Sequence, residues 1–102
     1  MAVGENRGTR GSGVEEEILR QKAETLGRIG HRAECAVEAA WRAYRAWRAG
    51  APGGESYPEC RAEAARWLWY LEVQREAVGL VHHQLLRRLL KLPPESDGGG
   101  AG

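Results

Sequence analysis

The chain has 102 residues, which allows one domain, and its formal net charge of +1 gives no overall attraction to nucleic acid or to an anionic membrane. Two cysteines are too few for a disulfide framework. No apolar run resembles a secretory signal or is long enough to span a membrane, so we expect a cytoplasmic protein.

Glycine is concentrated at residues 4–13, 50–54 and 98–102, which leaves two long segments between glycine-rich stretches. The two ends of the chain, 1–12 and 93–102, are poor in large apolar residues. We therefore predict that both ends are disordered tails.

Both long segments have the sequence signals of a helix. Each is preceded by a serine, Ser12 or Ser56, with a glutamate three residues later, which is the spacing of a capping box. The residues that follow are mostly Ala, Arg, Glu and Leu, all strong helix formers. We predict helices at about 13–49 and 57–92, joined by a turn at about 50–56.

Apolar and small residues repeat at spacings of three and four along both predicted helices, and the repeats match when the chain is folded at Pro52. The matched layers are Tyr44/Cys60, Ala40/Ala64, Val37/Trp67, Ala33/Leu71, Gly30/Gln74, Leu26/Val78, Ala23/Val81 and Leu19/Leu85. Large residues face small ones in several of these layers. The sequence therefore predicts an all-α fold, an antiparallel two-helix hairpin with coiled-coil-like packing.

Gly27 and Gly30 weaken the first predicted helix, each by about 1 kcal/mol relative to alanine. Two interpretations follow. Either the second helix approaches closely at the Gly30 layer, which we favour, or the glycines divide the first helix in two.

A segment just before the turn combines aromatic rings with arginines. Tyr44 lies on the seam between the helices and Trp47 is the next seam position, so we expect both rings to be interior. Arg42, Arg45 and Arg48 are spaced by three and are expected to point outward. The alternative function for this segment is nucleic-acid binding, with the arginines contacting phosphates.

Several apolar residues are left over once the seam is filled. Those on the outer side of the second helix or beside the seam include Trp69, Val73, Leu80, Leu90 and Trp41. Two helices cannot cover all of them, and a lone hairpin buries little surface. We therefore predict a small non-enzymatic protein–protein interaction or adaptor module. It either docks on a partner protein through these residues or forms a homodimer, whose four helices would make a four-helix bundle.

Residues 80–92 form a cationic amphipathic stretch. Such a stretch is able to lie on a membrane surface. We expect instead that it closes the open end of the hairpin over Ile18 and Leu19.

No catalytic, cofactor-binding or metal-binding motif is present, and we expect none of these functions. In the hairpin register His31 is about 14 Å along the axis from His82 and His83, too far to share an ion. Cys35 and Cys60 are about 13 Å apart in the same register, so we expect two free thiols.

The length of the chain and its hairpin shape resemble the WXG100 secreted proteins, which carry Trp-x-Gly at the turn. Here two residues separate Trp47 from Gly50. Tyr70 is followed at the fourth place by Gln74, where the export signal of that family has an acidic residue. A secreted hairpin is the second alternative function, and it rests on this resemblance.

Overall fold

The computed structural model describes residues 2–95, with side chains from Gly13 onward, and this part of the chain contains helices without a strand. The helices are α1 at Ala2–Ala49, α2 at Tyr57–Ala77 and α3 at Gln84–Leu89, with a 3₁₀ turn at Gly54–Ser56. Helices α1 and α2 pack against each other. The predicted all-α helical hairpin is therefore confirmed.

Helix α1 is continuous and about 72 Å long at 1.5 Å per residue. The break predicted as an alternative at Gly27 and Gly30 is absent, because both glycines lie inside the helix. The favoured alternative is also wrong, since a Cβ built on either glycine would have no neighbouring heavy atom within 4 Å. The good helix formers on both sides carry the helix through the cost of the two glycines.

Helix α1 ends at a glycine in the left-handed conformation. Gly50 has a φ of 66°, and the amides of Gly50 and Ala51 donate to the carbonyl oxygens of Trp47 and Ala46 at 3.2 and 2.8 Å. This pair of bonds is a Schellman motif, which satisfies the last carbonyl groups of a helix. The glycine thus ends α1 and starts the turn.

The start of α2 differs from the predicted capping box. The hydroxyl of Ser56 donates to the carbonyl oxygen of Gly53 at 2.8 Å and makes no capping bond to the helix. The side chain of Glu55, not of Glu59, accepts a backbone amide bond, from Gly53 at 3.1 Å. The serine therefore stabilises the 3₁₀ turn rather than the first turn of α2.

Aromatic rings cover the turn between the two helices. Trp47 stacks on Tyr57 with ring centroids 5.6 Å apart, and Tyr44 lies 5.3 Å from Tyr57. Tyr57 is fully buried, whereas Tyr44 and Trp47 are half-buried. The turn is therefore anchored by a cluster of three rings.

Two clusters of buried side chains hold α1 against α2. The cluster nearer the turn comprises Val37, Ala40 and Ala64, and the farther cluster comprises Ile29, Ala33 and Leu71. The predicted layers Ala40/Ala64 and Ala33/Leu71 each fall within one cluster. Trp67 differs from its predicted layer, because it packs against the farther cluster rather than the nearer one.

The predicted second helix is wrong beyond Ala77. Gly79 has a φ of 94°, and its amide donates to the carbonyl oxygen of Glu76 at 3.0 Å. The amide of Leu80 donates to the carbonyl oxygen of Arg75 at 2.9 Å, which completes a second Schellman motif. The chain therefore leaves the helical path although the apolar repeat continues along the sequence.

The predicted layers beyond α2 do not form. Leu19, Val81 and Leu85 are 62%, 59% and 61% exposed. Residues 80–92 consequently do not close the open end of the hairpin over Ile18 and Leu19.

The chain instead runs back toward the turn as a return segment, residues 80–95. Leu86 packs on the cluster farther from the turn, Leu90 packs on both clusters, and Leu92 packs on the nearer one. This order shows the direction of the segment. These three leucines thus fill the groove between α1 and α2.

Backbone carbonyl groups fix the end of the return segment. Arg61 Nε donates to the carbonyl oxygen of Pro93 at 2.7 Å, and the hydroxyl of Tyr57 donates to that of Pro94. Pro93 is fully buried, so the predicted tail at 93–102 is wrong at its first residues. Residues 96–102 lie outside the described part, as do the side chains of residues 1–12. The predicted tail at 1–12 is wrong for the backbone from Ala2 onward, because α1 begins there rather than at about residue 13.

Candidate protein-interaction surface

The side of α2 that faces away from α1 carries large exposed side chains. Leu71 is buried against α1, and Trp69 and Val73 each lie about 160° around the helix from it. Trp69 is 66% exposed and Tyr70 41% exposed, and Val73 is exposed beside them. We call Trp67, Trp69, Tyr70 and Val73 the aromatic face.

Trp67 is the fixed member of the aromatic face. Its Nε1 donates to Glu63 Oε2 at 2.9 Å, and the Arg32 guanidinium lies 4.7 Å from its ring centroid. Tyr70 meets the Trp67 ring edge to face, with centroids 6.0 Å apart. The hydrogen bond from Trp67, together with one from Arg66, lowers the pKa of the Glu63 carboxyl. Trp67 therefore holds Tyr70 in place through the contact between the two rings.

A second groove between α1 and α2, of about 810 Å³, runs beside the aromatic face and is lined by residues of α1 and α2 rather than by the return segment. Ile29, Trp67 and Tyr70 supply its apolar surface, and Arg28 and Arg32 lie along its α1 side. The groove is widened by the absence of a side chain at Gly27, which also lines it. The surface thus consists of a ridge of aromatic rings beside an apolar groove whose α1 wall carries the two arginines.

The described ion pairs leave these groove arginines available. Arg28 donates to Thr25 Oγ1 at 3.3 Å, and Arg32 stacks on Trp67. Neither arginine takes part in an ion pair among the residues that the structure describes. The acidic Glu24 also lines the groove. The charge of the groove walls is therefore net positive.

The five residues predicted to bind a partner separate into three groups. Trp69 and Val73 lie together on α2, and Leu80 is exposed in the turn beyond the helix. Leu90 packs on the core clusters, and Trp41 Nε1 donates to the carbonyl oxygen of Lys91 at 2.8 Å. Leu90 and Trp41 are therefore engaged within the chain, because the return segment places Leu90 on the core clusters and covers Trp41.

Tyr70 and the groove were missed in the sequence. The apolar repeat alone places Tyr70 beside the seam, where it is indistinguishable from a surface tyrosine. The predicted register gave no signal for the contact between Trp67 and Arg32, because it places Trp67 opposite Val37.

Arg42, Arg45 and Arg48 are exposed on α1, as predicted. Arg48 donates to the hydroxyl oxygen of Tyr44 at 3.2 Å, so it is partly engaged with the rings at the turn.

One histidine has a structural position that the sequence did not indicate. His83 is buried, and its Nδ1 accepts a bond from Arg75 Nε at 3.3 Å. That bond leaves the proton on Nε2, which lies 3.0 Å from Glu76 Oε2 and donates to it. Together with Arg87, which donates twice to Glu72 at 2.8 and 2.9 Å, His83 joins the return segment to α2.

Both cysteines are free thiols, and in the described part of the chain no three His, Cys, Asp or Glu side chains are grouped closely enough to hold a metal ion. No helix among the described residues combines the length and the apolar character needed to cross a membrane.

No family model, curated protein or solved structure matches the chain. The surface chemistry is therefore the only basis for a functional assignment.

Proposed function

We propose that the protein is a non-enzymatic interaction module that binds an amphipathic segment of a partner protein on the aromatic face. The observation that carries this proposal is the exposure of Trp69, which presents 66% of its surface to solvent beside the exposed side chains of Tyr70 and Val73. Tryptophan and tyrosine are the residue types that dominate binding energy at protein interfaces.

The order of the rings supports binding rather than incidental exposure. Trp67 is fixed by Glu63 and Arg32, and Tyr70 leans on Trp67. Rings held in one orientation lose little conformational entropy when a partner covers them. A preorganised surface of this kind favours recognition of a protein segment.

The charges define the chemistry of the partner. Arg28 and Arg32 border a groove whose base is apolar, and neither is ion-paired within the described residues. A partner segment with apolar side chains on one side and carboxylates at its edge would cover Trp67 and Tyr70 while pairing with the arginines. An acidic amphipathic helix has this distribution.

The experiment compares three full-length chains: the wild type, Trp69→Ala and Leu89→Ala. Leu89 is 71% exposed on α3, so its truncation removes a comparable exposed apolar side chain away from the aromatic face. Proteins captured from the native cell extract are identified by mass spectrometry, purified and titrated against each chain by calorimetry.

We expect at least one captured protein whose affinity falls about thirtyfold with Trp69→Ala, corresponding to a central hot spot, and is unchanged with Leu89→Ala. Its affinity should also fall with rising salt and with Arg28→Gln. If every captured protein binds all three chains equally, the aromatic face is not the binding surface and the proposal is wrong.

A further inference from the structure

Helix α1 extends far beyond the end of α2. Every residue from Gly13 to Thr25 is exposed, and Leu26 is the first residue of the described side chains to be half-buried. We call residues 13–25 the arm. A helix of this length without tertiary contacts is only marginally stable in water, so the arm has the properties of a helix that lacks its partner.

The arm continues the face of α1 that α2 covers nearer the turn. Ile18 and Leu19 lie on this face and are 44% and 62% exposed. A groove of about 340 Å³ opens where the face meets the end of α2, between Ile18, Leu26 and Val78. The apolar seam of the hairpin is therefore unfilled along the arm.

The charges on the same face are arranged symmetrically. Glu15 precedes Ile18 by three residues, and Lys22 follows Leu19 by three. At 100° per residue, Glu15 and Lys22 both lie within about 20° of the centre of the face that holds Ala33. A negative and a positive side chain thus flank a central apolar pair at equal distances.

We propose that the arm pairs with the arm of a second copy of this chain, antiparallel, about a two-fold axis between Ile18 and Leu19. In this register Ile18 packs on the second copy's Leu19, and Glu15 meets the second copy's Lys22. A parallel pair would instead bring Lys22 against Lys22 and Glu15 against Glu15, which repel. The charge pattern thus selects one orientation of one partner.

This pairing does not depend on the aromatic face. The arm and the aromatic face occupy different parts of the chain, so a dimer joined by its arms would present two copies of the face. Trp69→Ala is therefore expected to leave the arm dimer unchanged, which separates a failure of this inference from a failure of the proposed function.

The test is sedimentation equilibrium of the full-length wild type, of Glu15→Lys, of Lys22→Glu and of an equimolar mixture of the two variants. Each variant alone places like charges opposite each other twice. The mixture allows a heterodimer in which residue 15 and residue 22 are opposite in charge at both contacts.

We expect the wild type to dimerise, each variant to dimerise at least about tenfold more weakly, and the mixture to regain the affinity of the wild type. Glu24→Lys is the matched control, because it reverses the same charge on the side of α1 opposite the arm face and should leave the dimer intact. Circular dichroism checks that each variant keeps its helical content.

The inference is overturned if the wild type stays monomeric at concentrations up to about 1 mM, because the dissociation constant of any dimer would then be too high for a specific pair. It is also overturned if Glu24→Lys weakens association as much as Glu15→Lys, or if the mixture is no tighter than its components. Restoration by mixing is a result that a loss of helix stability in either variant would not produce.

Discussion

Gly54→Ala tests the packing of the turn with a single methyl group. Gly54 is buried, and a Cβ at this position would stand 2.5 Å from both the Cα and the amide nitrogen of Trp47. Non-bonded carbon atoms in contact are about 3.5 Å apart, so the turn would have to move by about 1 Å. The clashing atoms are backbone atoms of α1, and they cannot yield as the end of a flexible side chain would.

We expect Gly54→Ala to lower the free energy of unfolding by about 3 kcal/mol, the upper end of the range for overpacked sites. In a domain of this size that corresponds to a fall of roughly 15 °C in the midpoint of thermal unfolding. The assay is urea and thermal unfolding followed by circular dichroism.

Gly27→Ala is the matched control for this substitution. Gly27 lies inside α1, and a Cβ there would meet nothing within 4 Å. The same added methyl group is therefore expected to raise the free energy of unfolding by about 1 kcal/mol through helix propensity. If both variants shift the midpoint in the same direction, or if Gly54→Ala unfolds like the wild type, the turn is not packed on Trp47 and the reasoning fails.

Three further predictions concern side chains. Trp67→Ala should lower the free energy of unfolding by about 2 kcal/mol, half the loss of a fully buried tryptophan, whereas Trp69→Ala should leave urea unfolding nearly unchanged. Burial raises the pKa of Tyr57 from 10.0, so the unfolded chain ionises first and stability should fall as pH rises above that value; Tyr57→Phe should flatten this alkaline slope in denaturation curves. Alkylation of the native protein should modify exposed Cys35 faster than half-buried Cys60.

The half of the hairpin nearest the turn could be predicted from the sequence because local and periodic signals agree there. Gly50 ends α1. Small residues spaced at the period of a helix place Ala33 against Leu71 and Ala40 against Ala64. A turn of fixed length sets the register of the first few layers. The register then propagates only as far as both helices continue.

The half farther from the turn could not be predicted from the repeat. Val78, Val81 and Leu85 continue the spacing of three and four, but Gly79 in a left-handed conformation ends α2 before they can use it. Whether a glycine within an apolar repeat ends a helix depends on the contacts that the following residues form once the chain has turned. Gly27 and Gly30 lie within a similar repeat and leave α1 continuous, because strong helix formers on both sides carry the helix through them.

The candidate surface was predictable in part for the same reason. Trp69 lies two residues from Leu71, so any register that buries Leu71 turns Trp69 outward. The groove beside Tyr70 depends on Trp67 packing one cluster farther from the turn than expected, which the spacing of apolar residues does not encode. Leu90 matched an outer stripe of a long helix only while the chain was assumed to run straight.

The direction of the return segment explains why the arm stays uncovered. In a straight second helix, residues 80–92 would lie along the arm and shield Leu19. The groove between α1 and α2 that the return segment occupies would then be open. Returning toward the turn fills that groove with Leu86 and Leu90 and leaves the arm bare. The arm carries a symmetric charge pattern that suits a second copy, whereas the aromatic face has no such symmetry and carries cations on one wall alone. The two surfaces therefore differ in the partner that their chemistry accepts. The fold-back accounts for the exposure of the arm, whereas the position of Trp69 relative to Leu71 accounts for the exposure of the aromatic face.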